Sequence, residues 1–141
     1  GWIASHDDEV IRRCLSHRDY NLISCGMLDE AVATVALKHS DTLLARNRSI
    51  VRDNLALLDA WISKEKHASY VKPSAGTTSL IYYDLPIPSY TFCEELYQQT
   101  GAFVTPGDCF EQPQSMRIGY ACDRSSLMDG LAALSEFAKT L

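Results

Sequence analysis

The stretch of the chain whose residues are most suited to a chemical role combines a Pro-Gly turn, an aromatic residue and an arginine. Residues 106–110 read PGDCF, and after a short polar loop a predicted strand places Arg117 among apolar neighbours. A guanidinium stays charged and is buried only when it is paired. Its planar fork of N–H groups binds a carboxylate through two parallel hydrogen bonds. Arg117 is therefore predicted to recognise a carboxylate, with an ion pair to an internal Asp or Glu as the alternative.

Composition limits the classes of partner. The chain has 141 residues, of which 46% are hydrophobic and 22% charged, and 13 basic against 18 acidic side chains give a net charge of −5. This length suits one domain, or one domain plus part of another. The acidic balance disfavours a surface that follows phosphates, so no nucleic-acid partner is expected. No apolar run approaches the roughly 20 residues of a membrane-spanning helix, so no membrane partner is expected either.

The five cysteines indicate neither a disulfide framework nor a metal site. Their number is odd and no CxxC pair occurs. Small buried thiols in a reducing cytoplasm are the interpretation that this pattern favours. The chain begins with the apolar residues Gly1–Ala4, with no initiator methionine and no signal-peptide pattern. We therefore expect it to be a piece of a longer cytoplasmic protein.

Helices dominate the predicted first half. Ser5 is the candidate N-cap of a helix over residues 6–17. Residues 19–26 show no helical period and are predicted to form an extended connection. A second helix is predicted over residues 27–39 from its i, i+3, i+4 apolar spacing. A third helix is predicted to begin at Ser40, with an apolar stripe about 24 residues long. Such a helix would be about 35 Å long, a length that suits a bridge between two lobes.

The second half is predicted to be mixed. Strands are expected over residues 69–72, 79–83, 102–105 and 116–122. Between the second and third strands, a helix is expected to begin at a capping box at Thr91 and to end at Gly101. A final helix is expected after its N-cap, Asp123. This order predicts an α/β sandwich with one helical layer. Trp61 and Tyr97 lie on helical stripes and are predicted to anchor the core.

Taken in order, these features resemble the carboxyl-terminal portion of class I/II aminotransferases of fold type I, which use pyridoxal phosphate. The resemblance rests on Pro73-x-x-Gly76, Pro106-Gly107-x-x-Phe110 and Arg117-Ile118-Gly119, and on residues 1–3, which resemble the strand after the cofactor lysine. It implies an α/β (α+β) fold: the two-layer sandwich of the aminotransferase small domain with a long interdomain helix, preceded by helical remnants of the large domain. The implied division is 1–40 for that remnant and connection, and 41–141 for the small domain.

The resemblance also implies roles for three substrate-binding residues. The arginine at the position of Arg117 binds the α-carboxylate of the substrate in that family, and Gly76 corresponds to a point where the backbone passes close to the substrate. Residues 20–26 resemble a loop that reaches the neighbouring subunit's site, which makes Asn21 a candidate beside Tyr20 and Ser24. For Gly76 the alternative is an ordinary turn glycine, and for Asn21 a plain connection residue.

The family's cofactor lysine is missing from this chain. It lies upstream of Gly1 in the family pattern, together with the groups that bind the cofactor's phosphate and ring, and none of the five lysines here stands at its position. The resemblance therefore implies no catalytic, cofactor-binding or metal-binding residue within these 141 residues. The chain alone is expected to be inactive.

Two functions from different classes remain compatible with the sequence. The first is the carboxyl-terminal part of an aminotransferase of amino acid metabolism, which would move an amino group between an amino acid and a 2-oxo acid with pyridoxal 5′-phosphate, as a homodimer when intact. The alternative is an aminotransferase-like ligand-sensing domain of a transcription regulator. A free-standing amino-acid-binding domain is a third, weaker possibility.

Overall fold

The computed structural model describes residues 2–141, and the chain divides into two compact units, Gly1–Leu43 and Leu44–Leu141. The predicted strand at the start of the chain falls partly on Gly1, outside the described residues. Its described part, residues 2–3, is irregular, so the strand prediction is wrong there. A strand needs a neighbour that takes its backbone hydrogen bonds, and the sheet of this chain includes no strand before residue 68 among the described residues.

The first unit consists of α1 (Asp8–Asn21), α2 (Met27–Lys38) and the start of α3 (Ser40–Ile62). Asp7, not Ser5, caps α1, because its carboxylate accepts hydrogen bonds from the backbone of the first turn, whereas Ser5 binds only the N–H of Asp7. The connection predicted over residues 19–26 starts too early, since α1 continues to Asn21 and only residues 22–26 are non-helical. No proline or glycine interrupts residues 19–21, so the backbone keeps its helical hydrogen bonds without an apolar period.

The predicted second and third helices are confirmed. In α2 the large apolar side chains are exposed, with Leu28 82% and Val32 70% accessible, and no described residue of α1 or α2 is buried. The helix α3 has 23 residues, and its buried positions are Asn54 and Leu58. Periodicity thus predicted these helices, but within the first unit their apolar side chains have no core to enter.

The second unit is the predicted α/β sandwich. Its elements are β1 (Ala68–Tyr70), β2 (Thr78–Tyr83), α4 (Ser89–Thr100), β3 (Thr105–Pro106), a 3₁₀ turn (Gly107–Phe110), β4 (Ser115–Gly119) and α5 (Arg124–Ala138). The strands form one antiparallel sheet in the order β1-β2-β4-β3. The predicted order of strands and helices is therefore confirmed, with strand ends shifted by up to three residues.

One face of this sheet forms the core. Alternate residues of β2 and β4 are buried there, and they cluster with side chains of α3, α4 and α5 that include Leu58, Phe92, Leu96, Leu127, Leu131, Leu134 and Phe137. The rings of Tyr83 and Phe92 stack with centroids 4.8 Å apart, and Phe92 meets Phe137 edge to face at 5.1 Å. Burial of these apolar surfaces is the main force that holds the second unit together.

Three local predictions in this unit meet different outcomes. The capping box at Thr91 is wrong, because α4 begins at Ser89 after Pro88, which leaves the helix end without a side-chain cap. Gly101 ends α4 as predicted, in the left-handed region with φ +76°. Asp123 caps α5 as predicted, and the hydrogen bonds from Ser125 lower the pKa of its carboxyl.

The two aromatic residues that were predicted to anchor the core differ in burial. Trp61 is half-buried against the core, and its indole N–H donates to Ser135 Oγ at 2.8 Å. Tyr97 is 50% exposed and packs edge to face with Phe103, which is itself 80% exposed, so its prediction as a core residue is wrong. Its place on a helical stripe gave the right helix but the wrong face.

Gly107 occupies a position where no side chain fits. A Cβ built on it would lie 1.9 Å from Ser115 Oγ, 2.2 Å from the carbonyl oxygen of Gln112 and 2.7 Å from that of Ser115. Two of these atoms belong to the backbone, and Gln112 N–H also donates to the Gly107 carbonyl at 3.0 Å. The glycine of the Pro-Gly pair is thus required by close approach of the chain to itself.

We predict that Gly107→Ala lowers the free energy of unfolding of this chain by about 2–3 kcal/mol, because the backbone around Ser115 must move. Gly130→Ala in α5 is the matched control: its Cβ would meet nothing within 4 Å, and alanine favours a helix over glycine by about 1 kcal/mol. Urea unfolding should therefore shift in opposite directions for the two variants. A Gly107→Ala variant as stable as the parent would contradict this packing.

Candidate functional site

Arg117 is the central residue of β4, and the alternation of the strand sets its direction. Successive side chains of a strand point to opposite faces. Its neighbours Met116 and Ile118 are 3% and 5% exposed on the core face, so Arg117 lies on the other face, where it is half-buried. The register pairs it with Leu80 of β2 on one side and with Thr105 of β3 on the other.

Two neutral neighbours hold the guanidinium. Its Nη2 donates to Thr105 Oγ1 at 3.3 Å, and its Cζ lies 4.8 Å from the centroid of the Phe110 ring. A cation over an aromatic face gains about 0.5–1 kcal/mol at an accessible site. Within residues 2–141 the side-chain hydrogen bond to Thr105 uses one of the five N–H donors of the guanidinium.

No internal acid neutralises this cation within residues 2–141. Each ion pair found there within 4.0 Å joins other residues, and none includes Arg117. The alternative considered from the sequence, a structural ion pair to Asp or Glu, is therefore absent from this part of the protein. A guanidinium suits bidentate binding of a carboxylate, and this role of Arg117 stays a prediction.

The motif before β4 supplies the ring. The 3₁₀ turn Gly107–Phe110 follows β3 directly, and it is tied to α4 because Ser89 Oγ donates to Asp108 Oδ2 at 2.6 Å and accepts from Asp108 N–H. Ser89 is only 1% exposed. Sequence reasoning missed this pair, and a serine just after a Pro-x-Pro loop was the one available signal.

Gly76 lies in the irregular segment between β1 and β2. Its φ is +105°, a conformation that L side chains rarely adopt, and an added Cβ would meet nothing within 4 Å. The glycine is required by the backbone conformation and not by a contact. The pairing of Thr78 with Gly119 places it two residues beyond the end of the β2–β4 ladder that carries Arg117. Its role toward a substrate stays a prediction.

Asn21 belongs to the first unit, whereas Arg117 and Gly76 belong to the second. It is the last residue of α1, it is exposed, and its Nδ2 donates to the carbonyl of His17 at 3.2 Å. Tyr20 beside it is 89% exposed. The substrate-binding role of Asn21 also stays a prediction.

A buried polar residue of α3 binds the chain just after β4. Asn54 of α3 is 2% exposed, and its Nδ2 donates to the carbonyls of Tyr120 at 2.8 Å and Cys122 at 2.9 Å. Tyr120 follows β4 directly, and Cys122 lies two residues further on. An amide in a buried helical stripe was the signal, because a buried amide must find partners.

Other kinds of site are not found in the described residues. Across residues 2–141 no group of three or more His, Cys, Asp or Glu side chains is placed to hold a metal ion. None of the helices there combines the length and the apolar character needed to cross a membrane. The substrate-binding role of Arg117 stays a prediction.

Comparison with protein-family models found no match. The chain is 33% identical over 137 residues to capreomycidine synthase of Streptomyces vinaceus, a match that covers 96% of this chain and 35% of the relative. Among solved structures, a pyridoxal-phosphate-dependent aminotransferase from Streptococcus suis is 39% identical, with a TM-score of 0.91 over 97% of this chain and 36% of that protein. The pyridoxal-phosphate-dependent cyclase OrfR is 26% identical, with a TM-score of 0.86 over 94% of this chain and 37% of the cyclase.

These matches run along nearly the whole chain, which spans about a third of the length of each relative. They confirm the α/β small-domain fold that the ordered motifs predicted. The chain belongs to the fold type I, pyridoxal-phosphate-dependent aminotransferases and their related enzymes, and it corresponds to their carboxyl-terminal portion.

Proposed function

We propose that the intact protein transfers an amino group between an amino acid and a 2-oxo acid, and that this chain supplies the clamp for the substrate's α-carboxylate. The observation that carries the proposal is Arg117, a half-buried guanidinium on the open face of the sheet, held by Thr105 and Phe110 and without an acid partner in the described residues. An amino acid and a 2-oxo acid share a carboxylate beside the reacting carbon, so one clamp serves both.

The residues of this chain fit the substrate and not the cofactor. All five lysines, Lys38, Lys64, Lys66, Lys72 and Lys139, lie at the surface, and Lys72 and Lys139 already pair with Asp59 and Glu136. A lysine that holds pyridoxal phosphate needs a desolvated site. We therefore place the cofactor lysine outside these residues, and we expect the chain alone to be inactive.

Arg117 acts on the rate by orientation. Two parallel hydrogen bonds to a carboxylate fix both the distance and the plane of the bound acid group, so the direction of the bonds on the adjacent carbon is fixed as well. Pyridoxal phosphate, when bound, supplies the electron sink for the chemistry at that carbon. Correct orientation of a substrate contributes several kcal/mol to lowering a barrier.

The first unit suits contact with more protein. Leu28, Val32 and Val35 of α2 are each more than half exposed, as are Leu22 and Ile23 after α1. Apolar surface of this extent marks an interaction site in a stable protein. We propose that residues 1–40 pack on the cofactor domain of a longer polypeptide, that residues 41–141 form the small domain, and that Asn21 reaches the site of a second subunit in a homodimer.

A synthase or cyclase reaction on the same cofactor is the second candidate. Two of the relatives bear such names, capreomycidine synthase and the cyclase OrfR. The carboxylate clamp serves this chemistry equally, and the products separate the two candidates. An aminotransferase forms a 2-oxo acid from the amino donor, whereas a synthase that retains the amino group forms none. The transcription-regulator alternative is not favoured, because these relatives are named as enzymes.

We predict that Arg117→Ala in the full-length protein raises the KM for the amino acid at least about 100-fold, because a charge-assisted bidentate contact of about 3 kcal/mol is lost. Arg117→Lys should recover only part of this affinity, since an ammonium cannot form the fork. The visible absorbance of the bound cofactor, followed during titration with amino acid, gives the measurement. An unchanged KM in Arg117→Ala would refute the clamp.

A further inference from the structure

A buried tyrosine immediately after β4 holds the glycine turn by two hydrogen bonds. Tyr120 is 0% exposed, its hydroxyl donates to the carbonyl of Gly76 at 3.0 Å, and its backbone N–H donates to the carbonyl of Thr77 at 2.9 Å. Two successive carbonyls of the turn before β2 are thus bound by one residue. Tyr120 lies three positions after Arg117 on the same stretch of chain.

The turn has little else to fix its backbone. Within the described residues, segment 73–77 makes no backbone hydrogen bond except those from Tyr120. Gly76 is exposed and its φ of +105° is a conformation open to few residues. The hydroxyl of Tyr120 therefore sets the direction of the Gly76 carbonyl, and with it the course of the chain at that point.

The tyrosine is itself held from the helix layer. Asn54 of α3 donates to the carbonyls of Tyr120 and Cys122, so its amide fixes the backbone on both sides of Ala121. Among the described residues no fully buried side-chain N or O atom lacks a hydrogen-bond partner. The hydrogen bonds of Asn54 and Tyr120 favour one arrangement of the segments that they join.

This network forms one wall of an open cleft of about 640 Å³. The cleft is lined by Asn54, Thr77 and Cys122 of the network, together with Arg46, Asn47 and Arg124. The cleft lies at the end of the β2–β4 ladder, and Arg117 is not among the residues that line it.

We propose that Tyr120 is a positioning residue for the amino-acid substrate: its hydroxyl holds the Gly76 carbonyl and so keeps the turn in one conformation beyond the end of the ladder that carries the Arg117 clamp. The inference rests on the proposed function, because it assigns the Gly76 turn to the same substrate as Arg117. Tyr120 acts through the turn and does not itself touch the substrate. It lowers the cost of binding by ordering the turn before the substrate arrives.

Tyr83 offers a matched control. It is also buried, at 6% exposed, and its hydroxyl also donates to a backbone carbonyl, that of Ile87 at 3.2 Å, but on the core face of β2. Tyr120→Phe and Tyr83→Phe each remove one hydroxyl and keep the ring. Both should lower the melting temperature by a similar few degrees. Only Tyr120→Phe should loosen the turn.

The test uses the full-length holoenzyme and the twenty standard L-amino acids, screened by the visible absorbance of the cofactor. With the amino acid that responds most strongly, Tyr120→Phe should raise the KM about fivefold or more and change kcat less than about threefold, while Tyr83→Phe should leave both unchanged. Equal KM values in Tyr120→Phe, Tyr83→Phe and the parent, with Arg117→Ala impaired, would overturn the inference and leave the proposed function standing. An Arg117→Ala variant that binds like the parent would overturn both.

Discussion

The alternation of a single strand underlies the whole arrangement. β4 must bury Met116 and Ile118 against the helices, and the same geometry then forces Arg117 to the opposite face. Because the apolar contacts fix the register of the strand, the guanidinium cannot move to the core face without exposing both neighbours. The core contacts thus fix the face of the sheet on which the cation lies.

Residues at both ends of β4 hold the strand and the groups around Arg117 in place. The glycine turn at residue 107 lets the chain pass close to Ser115, which brings Phe110 beneath the guanidinium. At the other end, Tyr120 and Asn54 secure the exit of the strand to the Gly76 turn and to α3. Neutral groups hold each of these points, so no internal acid competes for the charge on Arg117 in the described residues.

Sequence reasoning found the elements whose signals are local. The 3.6-residue period predicted α2 and α3, Gly101 marked the end of α4, and Asp123 marked the start of α5. It failed where the structure depends on a contact between residues that are far apart in the sequence. The hydroxyl of Ser89 binds Asp108, nineteen residues away, and Asn54 finds its first partner sixty-six residues on. The sequence alone singled out Arg117. The positions of the Thr105 hydroxyl, the Phe110 ring and Tyr120 around it are set by tertiary packing.

A crystal structure of the full-length protein with a bound amino acid or non-reactive carboxylate analogue tests the central claim most directly. We expect two guanidinium nitrogens of Arg117 to lie about 2.7–2.9 Å from the two oxygens of the ligand's carboxylate. An Arg117 paired instead with an Asp or Glu from the rest of the polypeptide, with the ligand's acid group bound elsewhere, would contradict the clamp.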